Sequence, residues 1–208
     1  MPTISLENKR ILITGGARGL GLAFAEAAVA ANAQVMIADI LENEGNESAK
    51  KIGATFTILD LRDPQSIITC AEQTIEVLGG LDGLVNCGAI ATGIGGPTMS
   101  EIDIGVWDKV MEVNVRGTWL MSNAVIPYLA KNDSGKIVNI ASDTAMWGAP
   151  KLMSYVASKG AIISMTRSMS RELGSDNIAV NCIAPGLTLV EATEYVPKDR
   201  KNQYVIGR

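Results

Sequence analysis

The sequence predicts an α/β protein, a doubly wound parallel sheet in a single domain. Three observations predict it. Short β-branched or aliphatic runs alternate with longer helical patterns along the chain, the order that βαβ units produce. The short runs are strongly apolar, as strands covered on both faces are. A glycine-rich segment joins the first run to the first helical pattern, at the carboxyl end of a strand where such sheets place their crevice.

Taken in order, strands are expected over 10–14, 34–39, 55–59, 83–86, 136–141 and 179–183, and helices over 19–31, 41–52, 64–78, 105–113, 117–130 and 152–174. The first strand is Arg10-Ile-Leu-Ile-Thr14 and the second Gln34-Val-Met-Ile-Ala-Asp39, each followed by a helical pattern. Thr55-Phe-Thr-Ile-Leu59 and Gly83-Leu-Val-Asn86 flank the helix over 64–78. The Gly/Pro-rich piece 88–97 then reads as a loop at the carboxyl edge of the fourth strand. Two helices precede Lys136-Ile-Val-Asn-Ile-Ala141, and the long helix over 152–174 leads into Ala179-Val-Asn-Cys-Ile183. No repeat, linker or low-complexity segment interrupts the series.

At 208 residues, 47% hydrophobic and 19% charged, the chain suits one large buried core. A net charge of −4 with no basic run gives no attraction to nucleic acid or to an anionic membrane. The three cysteines, Cys70, Cys87 and Cys182, are widely spaced without a CxxC, the pattern of reduced thiols in a cytosolic protein. There is no histidine. Histidine-based metal sites and Ser-His or Cys-His catalysis are therefore excluded. The first ten residues lack the apolar core of a signal peptide, and no apolar stretch approaches the ~20 residues that span a bilayer. The expectation is a soluble, cytoplasmic protein with no membrane contact.

The segment Ile11-Leu-Ile-Thr14-Gly15-Gly-Ala-Arg18-Gly19-Leu20-Gly21 runs from strand into helix. Glycines let the backbone turn sharply and let a pyrophosphate approach the helix N-terminus, where free N–H groups favour anions. The spacing is G-x3-G-x-G rather than G-x-G-x-x-G, but the strand–loop–helix context is the required one. Asp39 ends the second strand, where a carboxylate accepts hydrogen bonds from adenosine ribose hydroxyls and repels a 2′-phosphate. It also stands where it would cap the helix that follows. Arg18, inside the loop, points the other way, toward a 2′-phosphate. Asp39 carries more weight, so NAD is favoured over NADP.

Tyr155-Val-Ala-Ser-Lys159 puts a phenol and an ammonium on one helix face, one turn apart, with Ser142 upstream. A phenol of pKa ~10 is a poor acid–base catalyst at neutral pH. A nearby ammonium is expected to favour the phenolate and lower that pKa.

These residues together resemble the classical short-chain dehydrogenase/reductase family, a Rossmann-like fold, over 14–188. Thr14-Gly15-(x3)-Gly19-Leu20-Gly21 is similar to its cofactor loop, and Asp60-Leu61 matches the aspartate that contacts the adenine amino group. Asn86-Cys87-Gly88-Ala89 stands where the family has Asn-Asn-Ala-Gly, with the second asparagine replaced and the Ala-Gly order inverted. Asn86 there either braces the sheet or lies along the cofactor. Asn114 matches a catalytic asparagine that holds a water in a proton relay, and Ser142, Tyr155 and Lys159 match the other catalytic positions. Pro185-Gly186 matches the turn beside the nicotinamide, with Thr188 next to it. The resemblance thus implies cofactor contacts from Gly15, Arg18, Gly19, Leu20, Gly21, Asp39, Asp60, Leu61, Asn86, Gly88, Tyr155, Lys159, Pro185, Gly186 and Thr188.

It implies reversible hydride transfer between nicotinamide and a secondary alcohol or ketone carbon. Ser142 would hold the substrate oxygen, Tyr155 exchange its proton, and Lys159 lower the tyrosine pKa while binding the nicotinamide ribose. Asn114 would hold the water that links Lys159 to solvent. Candidate pocket residues are Ile90, Thr144, Trp147 and Leu187, with Thr92, Asp143, Met146 and Met153 around them. That mostly apolar wall favours a small, uncharged, cyclic or aromatic substrate. A mobile lid is expected over about 188–208. Family members continue through another helix and a seventh strand beyond Arg208, so a truncated product or incomplete record is expected, with a naturally shortened fold as the alternative. A homo-oligomer, a tetramer or a dimer, is implied by the helices over 117–130 and 152–174. A non-catalytic nucleotide-binding regulatory or scaffold protein is the alternative from another class, and an epimerase or dehydratase with tightly held NAD is a third.

Overall fold

The computed structural model describes residues 5–132 and 134–190. The chain alternates β1 (Arg10–Thr14), α1 (Gly19–Ala30), β2 (Gln34–Asp39), α2 (Glu42–Ile52), β3 (Thr55–Ile58), α3 (Pro64–Leu78) and β4 (Gly83–Asn86). After a short 3₁₀ turn, Met99–Glu101, come α4 (Ile104–Met111), α5 (Thr118–Leu129), β5 (Gly135–Ile140), α6 (Thr144–Trp147), α7 (Met153–Glu172) and β6 (Ile178–Ile183). The six strands form one parallel sheet in the order β3-β2-β1-β4-β5-β6. Strand order reverses between β1 and β4, which opens a crevice at their carboxyl ends.

Register aligns that crevice. Ala38, Thr14, Asn86, Asn139 and Cys182 lie side by side across β2, β1, β4, β5 and β6. The residues just past this row therefore emerge together on one edge. Because side chains alternate along a strand, registered residues share a face. Leu12, Met36, Leu84, Ile137 and Val180 pack with Ile67 of α3, Met121 and Val125 of α5, and Met169 of α7. Ile13, Val35 and Ile37 face the other way, onto Ala25 and Ala28 of α1 and Ala49 of α2. At ~25 cal/mol per Å² of apolar area, this two-sided burial is the main favourable contribution to the fold.

A buried polar network ties the sheet to its helices. The Asn86 amide donates to Ser122 Oγ (2.9 Å) and Asn139 Oδ1 (2.8 Å), and Asn139 in turn donates to Thr166 Oγ1 (2.9 Å). Strands β4 and β5 are thereby fixed to α5 and to α7, the helix that carries Tyr155 and Lys159.

The expected helices over 105–113 and 117–130 are one continuous helical run. A π-helical turn, Glu112–Gly117, joins α4 to α5 without a break. Asn and Gly are weak helix formers, which suggests an interruption, but tertiary contacts hold both here. Asn114 bonds the backbone of Ile90, and a Cβ on Gly117 would stand 2.7 Å from the Leu61 carbonyl oxygen. Helix α6 is a further element absent from the sequence-based expectation. Elsewhere the boundaries shift by only a residue or two, with α7 continuing as a 3₁₀ turn, Leu173–Asp176. Among the described residues no helix is long and apolar enough to cross a membrane.

Candidate active site

A cleft of about 780 Å³ opens over the carboxyl edge of the sheet. Its floor is the loop between β1 and α1. Gly15 (φ 68°) and Gly19 (φ 59°) adopt the left-handed conformation that glycine tolerates. A Cβ on Gly21 would lie 2.0 Å from the Gly15 carbonyl oxygen, and one on Gly15 would lie 2.7 Å from Gly88 Cα. Arg18, which precedes α1, makes no side-chain capping bond to it, so the first N–H groups of the helix can serve a ligand. A glycine cradle ending at an uncapped helix N-terminus fits the pyrophosphate of a dinucleotide. Gly15, Arg18, Gly19, Leu20 and Gly21 all line the cleft.

Asp39 forms the next wall. One carboxylate oxygen accepts the Ala17 N–H and the other the Leu41 N–H, each at 3.1 Å. It braces the glycine loop against the start of α2 and lines the cleft, with the exposed Arg18 on the same side. Asp60 and Leu61 follow. Asp60 does not cap α3; Asp63 does, accepting the Gln65 N–H. The Asp60 carboxylate instead receives the Arg62 guanidinium at 2.7 Å. That bond outweighs partial burial and holds the Asp60 carboxyl below the usual range. Arg62 and Lys109 also line this end; only the Asp60-Leu-Arg62 adjacency in the sequence could have suggested the first.

Thr14 Oγ1 accepts the N–H groups of Cys87 (3.1 Å) and Gly88 (3.0 Å), pinning the loop after β4 beside the glycine turn. Gly88 lines the cleft; Asn86 does not. Asn86 is 5% exposed and turned into the Ser122–Asn139 network. Its side chain thus braces the sheet rather than facing the cleft. Cys87 stands on the cleft wall, where burial pushes its thiol up to about 11. It is not a thiolate at neutral pH.

Ser142, Tyr155 and Lys159 meet on the opposite wall. Lys159, 4% exposed, donates to the Ile140 carbonyl oxygen at 2.7 Å, and its Nζ lies 5.6 Å from the Tyr155 ring centroid. Burial lowers its pKa to about 8, against the raising influence of Cys87 and Cys182. Tyr155 departs from expectation. Its pKa is raised, first by burial and then by Cys87 and Asp143, while hydrogen bonding with Ser142 is the influence that pulls it down. Desolvation is the first influence on the phenol and outweighs the pull of Ser142.

Asn114, 1% exposed, lies behind this wall rather than on it. Its Oδ1 accepts the Ile90 N–H (2.8 Å), and its Nδ2 donates to the Ile90 carbonyl oxygen (3.0 Å) and Ser158 Oγ (3.1 Å). The π-helical turn presents the amide to these groups, and the bond to Ile90 fixes the start of the loop over the cleft. A backbone bond from Gly96 N–H to the Lys151 carbonyl oxygen (3.0 Å) docks the far end of that loop at the start of α7.

Of the candidate substrate residues, Ile90, Thr92 and Leu187 line the cleft, joined by Leu152 and Val190. Thr144, fully buried, bonds Ser142 and does not reach the wall. Trp147 and Asp143 also lie off the wall, and Met146 and Met153 are 71% and 41% exposed to solvent. The residues 144–147 form the short helix α6. Pro185, Gly186 and Thr188 close the cofactor side, and the Asp143 N–H donates to the Pro185 carbonyl oxygen at 3.0 Å. The lid expected over about 188–208 lies outside the described residues beyond Val190.

The family model for short chain dehydrogenases matches residues 9–201. The chain is 38% identical over 191 residues to 2-(S)-hydroxypropyl-CoM dehydrogenase 3 of Xanthobacter autotrophicus, covering 87% of this chain and 72% of that protein. It is 34% identical over 196 residues to 3-alpha-(or 20-beta)-hydroxysteroid dehydrogenase of Mycobacterium bovis, covering 93% and 74%. The crystal structure of 3-ketoacyl-(acyl-carrier-protein) reductase from Brucella melitensis, complexed with NADH, superimposes with a TM-score of 0.90 at 28% identity. That match covers 98% of this chain and 86% of the reductase. The chain belongs to the short-chain dehydrogenase/reductase family of oxidoreductases.

Proposed function

We propose that the protein is an NAD-dependent oxidoreductase interconverting a secondary alcohol and a ketone. One observation carries this: Ser142, Tyr155 and Lys159 line the same cleft as the glycine loop and Asp39. Bound nicotinamide supplies or takes up the hydride. The protein positions the substrate and handles the proton. Ser142 holds the substrate oxygen, and Tyr155 gives its phenolic proton to that oxygen in reduction and takes it back in oxidation. Lys159, still an ammonium at neutral pH, stabilises the phenolate that forms and binds the nicotinamide ribose. The side-chain amide of Asn114 is spent on Ile90 and Ser158, so the water that returns the proton to solvent is held at its main-chain carbonyl oxygen.

Asp39 supports NAD, since a 2′-phosphate beside its carboxylate would be repelled. The apolar wall of Ile90, Leu152, Leu187 and Val190 supports a small, uncharged substrate, cyclic or aromatic. The hydroxysteroid dehydrogenase among the relatives acts, by its name, on a cyclic alcohol. We place the enzyme in the cytoplasm as a homo-oligomer; the exposed Trp119 of α5 supports association through that helix. The test is NADH absorbance with a panel of cyclic and aromatic secondary alcohols. Turnover with NAD is expected. NAD binding without turnover across the panel would favour a nucleotide-binding regulator instead.

A further inference from the structure

We propose that Thr144 is a positioning residue, a buried hydroxyl that fixes Ser142 as a hydrogen-bond donor into the cleft, its one proton going to the Tyr155 phenol oxygen in the free site and to the substrate oxygen once substrate is bound. This rests on Ser142 and Tyr155 being the proton-handling pair proposed above. Thr144 opens α6 directly behind the cleft wall and is 0% exposed, so it has no surface of its own to offer a substrate. Both its hydroxyl (2.9 Å) and its backbone N–H (3.3 Å) donate to Ser142 Oγ.

A serine hydroxyl has one proton to give and two lone pairs to receive with. Thr144 fills both acceptor positions. What remains to Ser142 is its proton, and the phenol of Tyr155 lines the same cleft, with Ser142 drawing its pKa down. Donation toward the phenol oxygen stabilises the phenolate, and donation from a hydroxyl that is itself receiving hydrogen bonds is strengthened. Without the Thr144 hydroxyl, Ser142 regains an open lone pair and accepts a hydrogen bond from Tyr155 instead. That reversal holds the proton on the phenol.

The charged and titratable groups facing Tyr155 are Cys87 after β4, Asp143 before α6 and Lys159 on α7. None is changed by a substitution at Thr144, and the turn of α6 is kept by backbone bonds from Gly148 and Ala149 to the Thr144 carbonyl oxygen. The hydroxyl can therefore be removed with little change of shape.

The experiment compares Thr144→Val, which keeps the volume, with Thr144→Ser, which keeps the hydroxyl. It uses the full chain with NAD and an alcohol that the wild type oxidises. In Thr144→Val, kcat should fall about tenfold, the worth of one hydrogen bond. The rising limb of its pH profile should move to higher pH, with the NAD dissociation constant unchanged. Thr144→Ser should restore both. If Thr144→Val does not fold, Thr144→Ala against Thr144→Ser is read in the same way. A wild-type kcat and pH profile in the hydroxyl-free variant overturns the proposal, as does a folded Thr144→Ser that behaves like it. Tyr155→Phe is run alongside. Full turnover there would fail the site itself, whereas an inactive Tyr155→Phe beside an unaltered Thr144→Val would fail only the role given to Thr144.

Discussion

Replacing Lys159 with methionine separates the electrostatic cost of burying an ammonium from its work in the site. The side chain is 4% exposed, and burial lowers its pKa from 10.5 to about 8. Between those two values the unfolded chain holds a proton that the folded protein has released. Stability therefore rises with pH across that window, and the penalty is present in full below about 8. At ~1.4 kcal/mol per pKa unit, this one group raises wild-type stability by about 2–3 kcal/mol between pH 7 and pH 10. Methionine has no proton to lose. The variant also leaves the Ile140 carbonyl oxygen without its 2.7 Å donor, but that loss is the same at every pH. Urea unfolding of the cofactor-free wild type and Lys159→Met, across pH 7 to 10, isolates the effect. The difference between them should move by about 2–3 kcal/mol in favour of the wild type as pH rises. A difference that stays constant to within ~0.5 kcal/mol would show that Lys159 is not desolvated, and the reasoning would fail.

The glycine loop, the cofactor preference and the assembly each have their own test. Gly21→Ala puts a Cβ 2.0 Å from the Gly15 carbonyl oxygen, so the loop must open, with strain of ~1–3 kcal/mol. NAD affinity by calorimetry should then fall at least about tenfold; unchanged affinity would remove the loop from the binding site. Asp39→Ala should cut the preference for NAD over NADP, measured as the ratio of kcat/KM values, by about tenfold. A ratio that holds or grows would assign discrimination elsewhere, with Arg18 as the residue to examine. Light scattering should return the mass of a dimer or tetramer, and a monomeric mass refutes the association through α5 and α7.

The strands were legible because each is a short apolar run between turn residues, and burial on both faces leaves little else such runs can form. The helix over 64–78 was legible for a local reason, with Asp63 and Pro64 at its start. Failures came where distant contacts override local preference. Asn114 and Gly117 read as a gap between helices, yet Ile90 and Leu61, far away in sequence, hold them in a π-helical turn. Thr144 and Trp147 follow Ser142 in sequence, which suggested the substrate wall; they fold into α6 and do not line the cleft. The spacing of Tyr155 and Lys159 suggested a lowered phenol pKa. Spacing cannot weigh burial, which dominates both groups. Asn86 shows the same limit: the network of Ser122, Asn139 and Thr166 that claims it exists only once four elements have packed.

Tyr155→Phe tests the central claim most directly. The change removes one oxygen from a half-buried ring and leaves Gly15, Asp39 and Lys159 in place, so cofactor binding and chemistry separate cleanly. NAD should bind the variant as it binds the wild type, while alcohol oxidation falls by roughly a thousandfold, within the ~10²–10⁴ span of general acid–base catalysis. Near-normal turnover in a variant that binds NAD would contradict the assignment of Tyr155 as the group that moves the proton.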